Sequence, residues 1–312
     1  MSSPHDANNL SGFKAKIPMV KLFLAPVIWG GALSAARIVS AELPAFTTSF
    51  VRFFIASILM IVVLYIKEKK FPKPTKRDIL WMFLLSLVGM VFFNGFLFTS
   101  LQTITAVRSS VLLAFTPVVV AIAARFIFKE KITPLMLAGI IAAIIGAVLT
   151  ITEGDLGKVL QSGLAIGDIY MLGAVLSWAA YSIIIKVAMS RLSPLALLAY
   201  GSVIGVILLF PFTLYDNAWS ALAHLSTNAI WSMLFLSIGA AGIAYLWYYE
   251  GIAHVGSSKA SVFLNMEPVA AIAIGVILLG EELTIAVAIG ALLVIGGLFL
   301  TNHKSKPRLP NS

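Results

Sequence analysis

The sequence predicts an all-α integral membrane protein of ten transmembrane helices, built as two inverted five-helix repeats. Three observations carry that expectation. Of the 312 residues, 60% are apolar and only 11% charged, against about 45–50% and about 25% in soluble domains. The apolar residues recur from end to end in blocks of roughly twenty, enough for a helix rising ~1.5 Å per residue to cross a ~30 Å hydrocarbon layer. The second half of the chain also repeats motifs of the first.

Helices are predicted over 20–39, 45–66, 79–99, 106–126, 134–152, 165–187, 194–215, 228–250, 258–279 and 285–302. The blocks are apolar all round instead of alternating, which argues against barrel strands. In lipid a helix satisfies its own backbone. Pro44, Pro134 and Pro194 punctuate helix starts, where first-turn amides lack partners in any case. The chain then divides into a cytoplasmic tail (1–19), a first repeat (20–152), an external linker (153–164), a second repeat (165–302) and a second cytoplasmic tail (303–312). Lys14, Lys16 and Lys21 followed by Ala32-Leu33-Ser34 mimic a secretory signal. That block is longer than a signal core and has a counterpart in the second half, so it is expected to be retained.

Charge sets the orientation. With the amino terminus inside, only Arg37, Arg108 and Lys158 of the 22 basic residues fall outside, and Arg52 lies within a helix. The rest are inside, including Lys67, Lys69, Lys70, Lys73, Lys76 and Arg77 of one loop. The positive-inside bias therefore puts both termini in the cytoplasm. The formal charge of +9 reports topology, and nucleic acid is not expected as a partner. Glu42, Glu153, Asp155, Asp168, Asp216, Glu281 and Glu282 fall outside and weigh little in this rule.

The repeat appears at an offset of 151 without gaps. Arg108-Ser109-Ser110-Val111 meets Lys259-Ala260-Ser261-Val262, Pro117-Val118 meets Pro268-Val269, and Glu130 meets Glu281. Gly139 meets Gly290 and Gly146 meets Gly297. Trp29 with Arg37 mirrors Trp178 with Lys186. Five helices is an odd number, so the two halves must lie upside down relative to one another, a recurring transporter plan with its site at the repeat interface.

Within the spans, Pro117 and Pro268 predict kinks that release the carbonyls of Leu113 and Leu264, either as cavity-shaping acceptors or as static bends. Glu267 is the acid nearest the bilayer centre, where a charge costs roughly 2.5–3.5 kcal/mol unless it faces protein or water. Its options are binding an amino group, taking a coupling proton, or pairing with Arg52. Gly201-x-x-x-Gly205 and the glycines at heptad spacing in 134–152 and 285–302 read as close-packing faces. The absence of cysteine removes disulfides and thiolate chemistry. His5, His224, His254 and His303 all lie outside the spans, and no metal-ligand spacing, phosphate loop or nucleophile–base set appears. No cofactor, metal or catalytic group is expected.

Trp29-Gly30-Gly31, Trp178-Ala179-Ala180-Tyr181, Arg52-Phe53 after Pro44, Pro117-Val118 with Glu130, and Glu267-Pro268-Val269 with Glu281 together resemble the drug/metabolite transporter superfamily. The likeness is to its EamA-type branch, and most of all to amino-acid exporters of the YddG type. It covers about 20 to 302. It implies a secondary transporter, exporter or facilitator, that moves a small metabolite across the plasma or inner membrane by alternating access, amino acids foremost. Multidrug, nucleoside or sugar efflux is the alternative, and a membrane enzyme or non-transporting scaffold a remote one. The resemblance implies a cavity lined by the first, third, fourth, sixth, eighth and ninth predicted helices. On those, Trp29, Ser34, Asn94, Trp178, Tyr181, Tyr245 and Asn265 join Glu267 as candidates to bind substrate. The expected partners are a small solute and the bilayer, with the ten-helix unit able to act as a monomer.

Overall fold

The computed structural model describes residues 4–127, 133–155, 157, 164–187, 192–255, 263–264 and 266–302. Among these, regular structure is helical throughout. In chain order the helices are α1 (Pro4–Ser40), α2 (Ala45–Glu68), α3 (Lys76–Leu101), α4 (Ala106–Leu113), α5 (Thr116–Ile127) and α6 (Pro134–Thr152). There follow α7 (Ile166–Val187), α8 (Pro194–Asp216) and the single turn α9 (Trp219–Leu222). The next helix, α10, runs through Thr227–Leu234, Phe235–Ala244 and Tyr245–Val255, and α11 (Met266–Leu279) and α12 (Ile285–Asn302) complete the chain.

Eight helical runs among the described residues are long and apolar enough to cross a membrane: Ile17–Ser40, Ala45–Glu68, Lys76–Leu101, Ala106–Ile127, Pro134–Thr152, Ile166–Ile184, Leu195–Asp216 and Thr227–Tyr248. The shorter Met266–Leu279 and Ile285–Leu300 are also apolar. This is a multi-pass membrane protein. The first helix begins earlier than predicted, at Pro4, because the polar tail before Ile17 continues the same helix.

Local chemistry sets the helix starts. Thr75 and Asp78 form a reciprocal capping box on α3. Thr105, Thr133, Ser193 and Ser226 each accept a hydrogen bond from the amide three residues on, a cap worth about 1 kcal/mol. Pro44 is itself the cap residue of α2, while Pro134 and Pro194 sit in the first turns of α6 and α8.

Two helices carry π segments, Leu87–Phe92 in α3 and Phe235–Ala244 in α10. The predicted helix 106–126 is broken at Ala114–Phe115. Pro117 thus stands in the first turn of α5 and Pro268 in the first turn of α11, where a proline forfeits no helical hydrogen bond. These are helix starts, not the kinks within continuous helices that the sequence predicts.

α6 and α12 pack antiparallel on glycine. A Cβ added to Gly146 would lie 2.6 Å from the Gly290 carbonyl oxygen, and one on Gly297 would collide with the Gly139 carbonyl. These are the residues paired by the 151-residue offset, in reciprocal register. Gly201 and Gly205 lie against Ser86 and Met90 of α3, with Ser86 Oγ donating to the Gly201 carbonyl at 2.8 Å. Large apolar side chains such as Ile207, Leu278 and Leu292 point outward, as lipid contact demands.

At one end of the bundle, carboxylates cap helices across the chain. Glu42 accepts from the Ser226 amide (2.8 Å) and hydroxyl (2.5 Å). Asp216 accepts from the Thr47 amide and hydroxyl, both at 2.9 Å. Glu281 accepts from the amides of Ala106 (2.8 Å) and Val107 (2.7 Å). Arg108 forks onto buried Asp168 at 2.8 and 2.7 Å and reaches Glu153 at 2.6 Å. Helix N-termini carry unsatisfied amides and partial positive charge, so acids belong there. At the other end Glu250 binds Lys21 and Lys67, at 2.8 and 2.5 Å.

Candidate functional site

The polar residues inside the apolar bundle form two corners with Arg52 between them. The first is built on Trp29 of α1. Its indole N–H donates to the Ala240 carbonyl at 3.0 Å, within the π segment of α10. Its ring meets Tyr245 and Tyr248 edge-on, at 5.0 and 5.4 Å between centroids. The neighbouring Gly30 lets α1 touch the backbone of α11. A methyl there would lie 2.6 Å from the Glu267 carbonyl oxygen and 2.7 Å from the Ala271 nitrogen. The backbone of Glu267, in the first turn of α11, therefore lies against Gly30, next to Trp29. The Glu267 side chain keeps partial accessibility and makes no hydrogen bond or ion pair among the described residues.

The second corner is built on Trp178 of α7, which stacks on Tyr181 (5.0 Å, 17° between planes) and packs against Phe93 at 4.7 Å. The Tyr181 ring lies over Gly89 in the π segment of α3, where a Cβ would come within 2.5 to 3.3 Å of it. Buried Asn94 donates to the Gly89 carbonyl at 2.9 Å and accepts from Arg52 Nη1 at 3.0 Å. The Arg52 guanidinium carbon stands 5.3 Å from the Phe53 ring centroid. Its Nε is buried with no partner among the described residues.

Among the described residues Arg52 binds Asn94 and no ion pair joins it to Glu267. Similar depth in a bundle does not fix the rotation of two helices about their axes. Ser34 is buried and its hydroxyl has no partner among the described residues. Asn265 lies outside the described residues, as do Lys259 and Glu130. Nor are the carbonyls behind the two prolines open acceptors. Thr116 Oγ1 donates to Leu113 O at 2.7 Å, and the Glu267 amide donates to Leu264 O at 3.0 Å. The capping carboxylates and the Ala240 and Gly89 carbonyls are not among the candidates the sequence offers. The acids had a signal in their clustering at helix ends, whereas the π segments have none in composition.

The arrangement offers an acid, a guanidinium, amide and hydroxyl groups, and aromatic faces inside a membrane bundle, and no cluster able to hold a metal occurs among the described residues. Comparison with known proteins identifies the family. The sequence is 29% identical over 291 residues to the Bacillus subtilis protein named "Uncharacterized transporter YetK", covering 92% of this chain and 87% of that one. It is 30% identical over 289 residues to an Archaeoglobus fulgidus transporter, covering 91% and 98%. The Arabidopsis thaliana chloroplastic WAT1-related protein At3g02690 is 25% identical, covering 88% and 66%. A solved crystal structure superposes with a TM-score of 0.60 over 91% of this chain and 97% of its own, at 16% identity, a likeness of fold. The model of the EamA-like transporter family matches twice, at residues 16–152 and 165–303, so both halves carry the family's unit and the chain belongs to the EamA-like transporter family.

Proposed function

We propose that this transporter is a secondary exporter or facilitator of small amino-bearing metabolites, amino acids foremost, working by alternating access between two inverted five-helix halves. The observation that carries the substrate class is Glu267, a carboxylate without a hydrogen bond or ion pair among the described residues, whose backbone packs on Gly30 beside Trp29, itself in contact with Tyr245 and Tyr248. A carboxylate near aromatic rings suits an ammonium group, through charge and through the ring quadrupole. The spare Nε of Arg52 suits a carboxylate. The inverted arrangement is supported by the double family match and by the reciprocal glycine contacts of α6 and α12.

A second solute class, organic cations, draws on the same aromatic residues. The two differ in their need for Arg52. Counterflow in proteoliposomes separates them: amino acids should exchange and cationic drugs should not. Exchange of cationic drugs alone, unaffected by Arg52→Gln, would replace the amino-acid reading. The basic loops support a cytoplasmic position for both termini, and the cysteine-free chain makes the test direct. In intact cells a cysteine at Thr75 should resist an impermeant thiol reagent and one at Asp155 should react. Labelling of Thr75→Cys from outside would overturn the orientation.

A further inference from the structure

The 151-residue offset that aligns the two halves sets Leu87–Phe92 of α3 on residues 238–243, inside the π segment Phe235–Ala244 of α10. It sets Gly89 on Ala240 and Asn94 on Tyr245. A π turn spans one residue more than an α turn, so the carbonyl that is skipped loses its amide partner. Such segments are rare and concentrate where proteins work. Here two stand at matched positions, one in each half.

Both matched carbonyls are held by a side chain. Asn94 Nδ2 donates to Gly89 O at 2.9 Å from within the same helix. Trp29 Nε1 donates to Ala240 O at 3.0 Å from α1. The same side chains have their other atoms in the site. Asn94 Oδ1 receives Arg52 Nη1 at 3.0 Å, and the Trp29 ring contacts Tyr245 and Tyr248. Helical geometry around each segment is therefore tied to the position of a residue that a solute would touch. Each segment presents a glycine at a close contact: a Cβ on Gly89 would lie 2.5 Å from the Tyr181 ring, and one on Gly242 would lie 2.6 Å from Leu59 of α2.

We propose that the π segments of α3 and α10 are paired hinges of the transport cycle, latched by Asn94 on the Gly89 carbonyl and by Trp29 on the Ala240 carbonyl, so that Asn94 and Trp29 act as positioning residues. Solute that draws Arg52 or the Trp29 ring aside releases the corresponding carbonyl and lets that helix rewind. The proposal rests on the alternating-access reading above.

Two substitutions separate latch from site. Trp29→Phe keeps an aromatic ring against Tyr245 and removes the N–H. Asn94→Asp keeps an acceptor for Arg52 and replaces the donor to Gly89 by an oxygen. Amide exchange, read by mass spectrometry on full-length protein in lipid nanodiscs, needs no knowledge of the solute. One hydrogen bond is worth about 0.5–1.5 kcal/mol, or roughly two- to twelvefold in opening. Trp29→Phe should speed exchange by that factor in 235–244 and leave 87–92 unchanged, and Asn94→Asp should do the reverse. In counterflow both should change the maximal rate by more than about fivefold while the half-saturating concentration moves less than about twofold. Unchanged exchange in both variants overturns the latches whatever transport does. Faster exchange with unaltered transport rate overturns their place in the cycle. Exchange that rises as expected in the variants, while the native protein shows no counterflow for any solute, would sink the transport reading instead, and with it the hinge role, leaving two structural hydrogen bonds.

Discussion

Around Trp178 the interior is closed by stacking. Trp178 and Tyr181 lie nearly parallel with Phe93 alongside, and the polar groups next to them are committed, Arg52 to Asn94 and Asn94 to Gly89. Around Trp29 the same residue type does different work. Its N–H is spent on α10, its ring edges meet two tyrosines, and the glycine after it brings in a carboxylate that has no partner among the described residues. Trp178 is followed by Ala179, where Trp29 is followed by Gly30. A duplicated scaffold thus has one corner in which Arg52, Asn94 and the Gly89 carbonyl are hydrogen-bonded in series and one whose carboxylate has no partner among the described residues. The contrast teaches that repeated sequence fixes where the corners lie, while single substitutions decide which polar groups are left without a protein partner.

The largest effect should come from the open corner. Glu267→Gln keeps shape and removes charge, so the protein should fold with a melting temperature close to the native one. Counterflow should fall at least about tenfold, since an ion pair in a dry site contributes more than the roughly 1.4 kcal/mol that a factor of ten represents. Native counterflow in this variant would mean the open corner is not where solute binds.

Gly30→Ala tests how that corner is held. The added methyl meets backbone atoms of Glu267 and Ala271, which cannot rotate away, and overpacking of this kind costs about 1–3 kcal/mol. Ala179→Gly, at the matching position, only removes a buried methyl and should cost about 1 kcal/mol. Thermal melts showing equal losses for the two would erase the asymmetry between corners.

A double-substitution cycle measures the link between the corners. Arg52→Gln gives up a charged hydrogen bond to Asn94 and should lower stability by about 1–3 kcal/mol. Because no ion pair joins Arg52 to Glu267 among the described residues, adding Glu267→Gln should be additive within about 0.5 kcal/mol. Recovery of stability in the double variant would instead reveal a direct pair, as removing one partner strands the other.

Much of this was legible in the sequence. Helical spans follow from block length, helix starts from prolines and capping hydroxyls, and the repeat from matched motifs. Glu267, Asn94, Tyr245 and Trp29 stood out because polar and aromatic groups inside apolar blocks require partners. The partners themselves were not legible. That Arg52 meets Asn94, 42 residues along, depends on how α2 and α3 are rotated about their axes. The π segments read as ordinary apolar helix, since Leu-Val-Gly-Met-Val-Phe has no composition that demands a wide turn. The acids at the bundle end, which count little in topology, take on a role only when distant helices bring their N-termini to them.

The smallest expected effect belongs to one of those acids, Glu42, in the loop between α1 and α2 and outside the spans. Hydrogen bonds from the Ser226 hydroxyl and amide hold its carboxyl below the ordinary 4.5, more than offsetting the slight burial that raises it. A folded-state value below the unfolded one means the contact stabilises the fold fully above the unfolded value and is lost as pH falls through the folded one. Glu42 is highly exposed, so solvent screens the contact and the gain is small. Glu42→Gln should therefore melt no more than about 2 °C below the native protein at pH 7, and the gap should close as pH falls below 4.5 toward the lowered value. A gap for Glu42→Gln that stays constant from pH 7 to pH 3 would show that its contribution comes from packing and not from the charged cap.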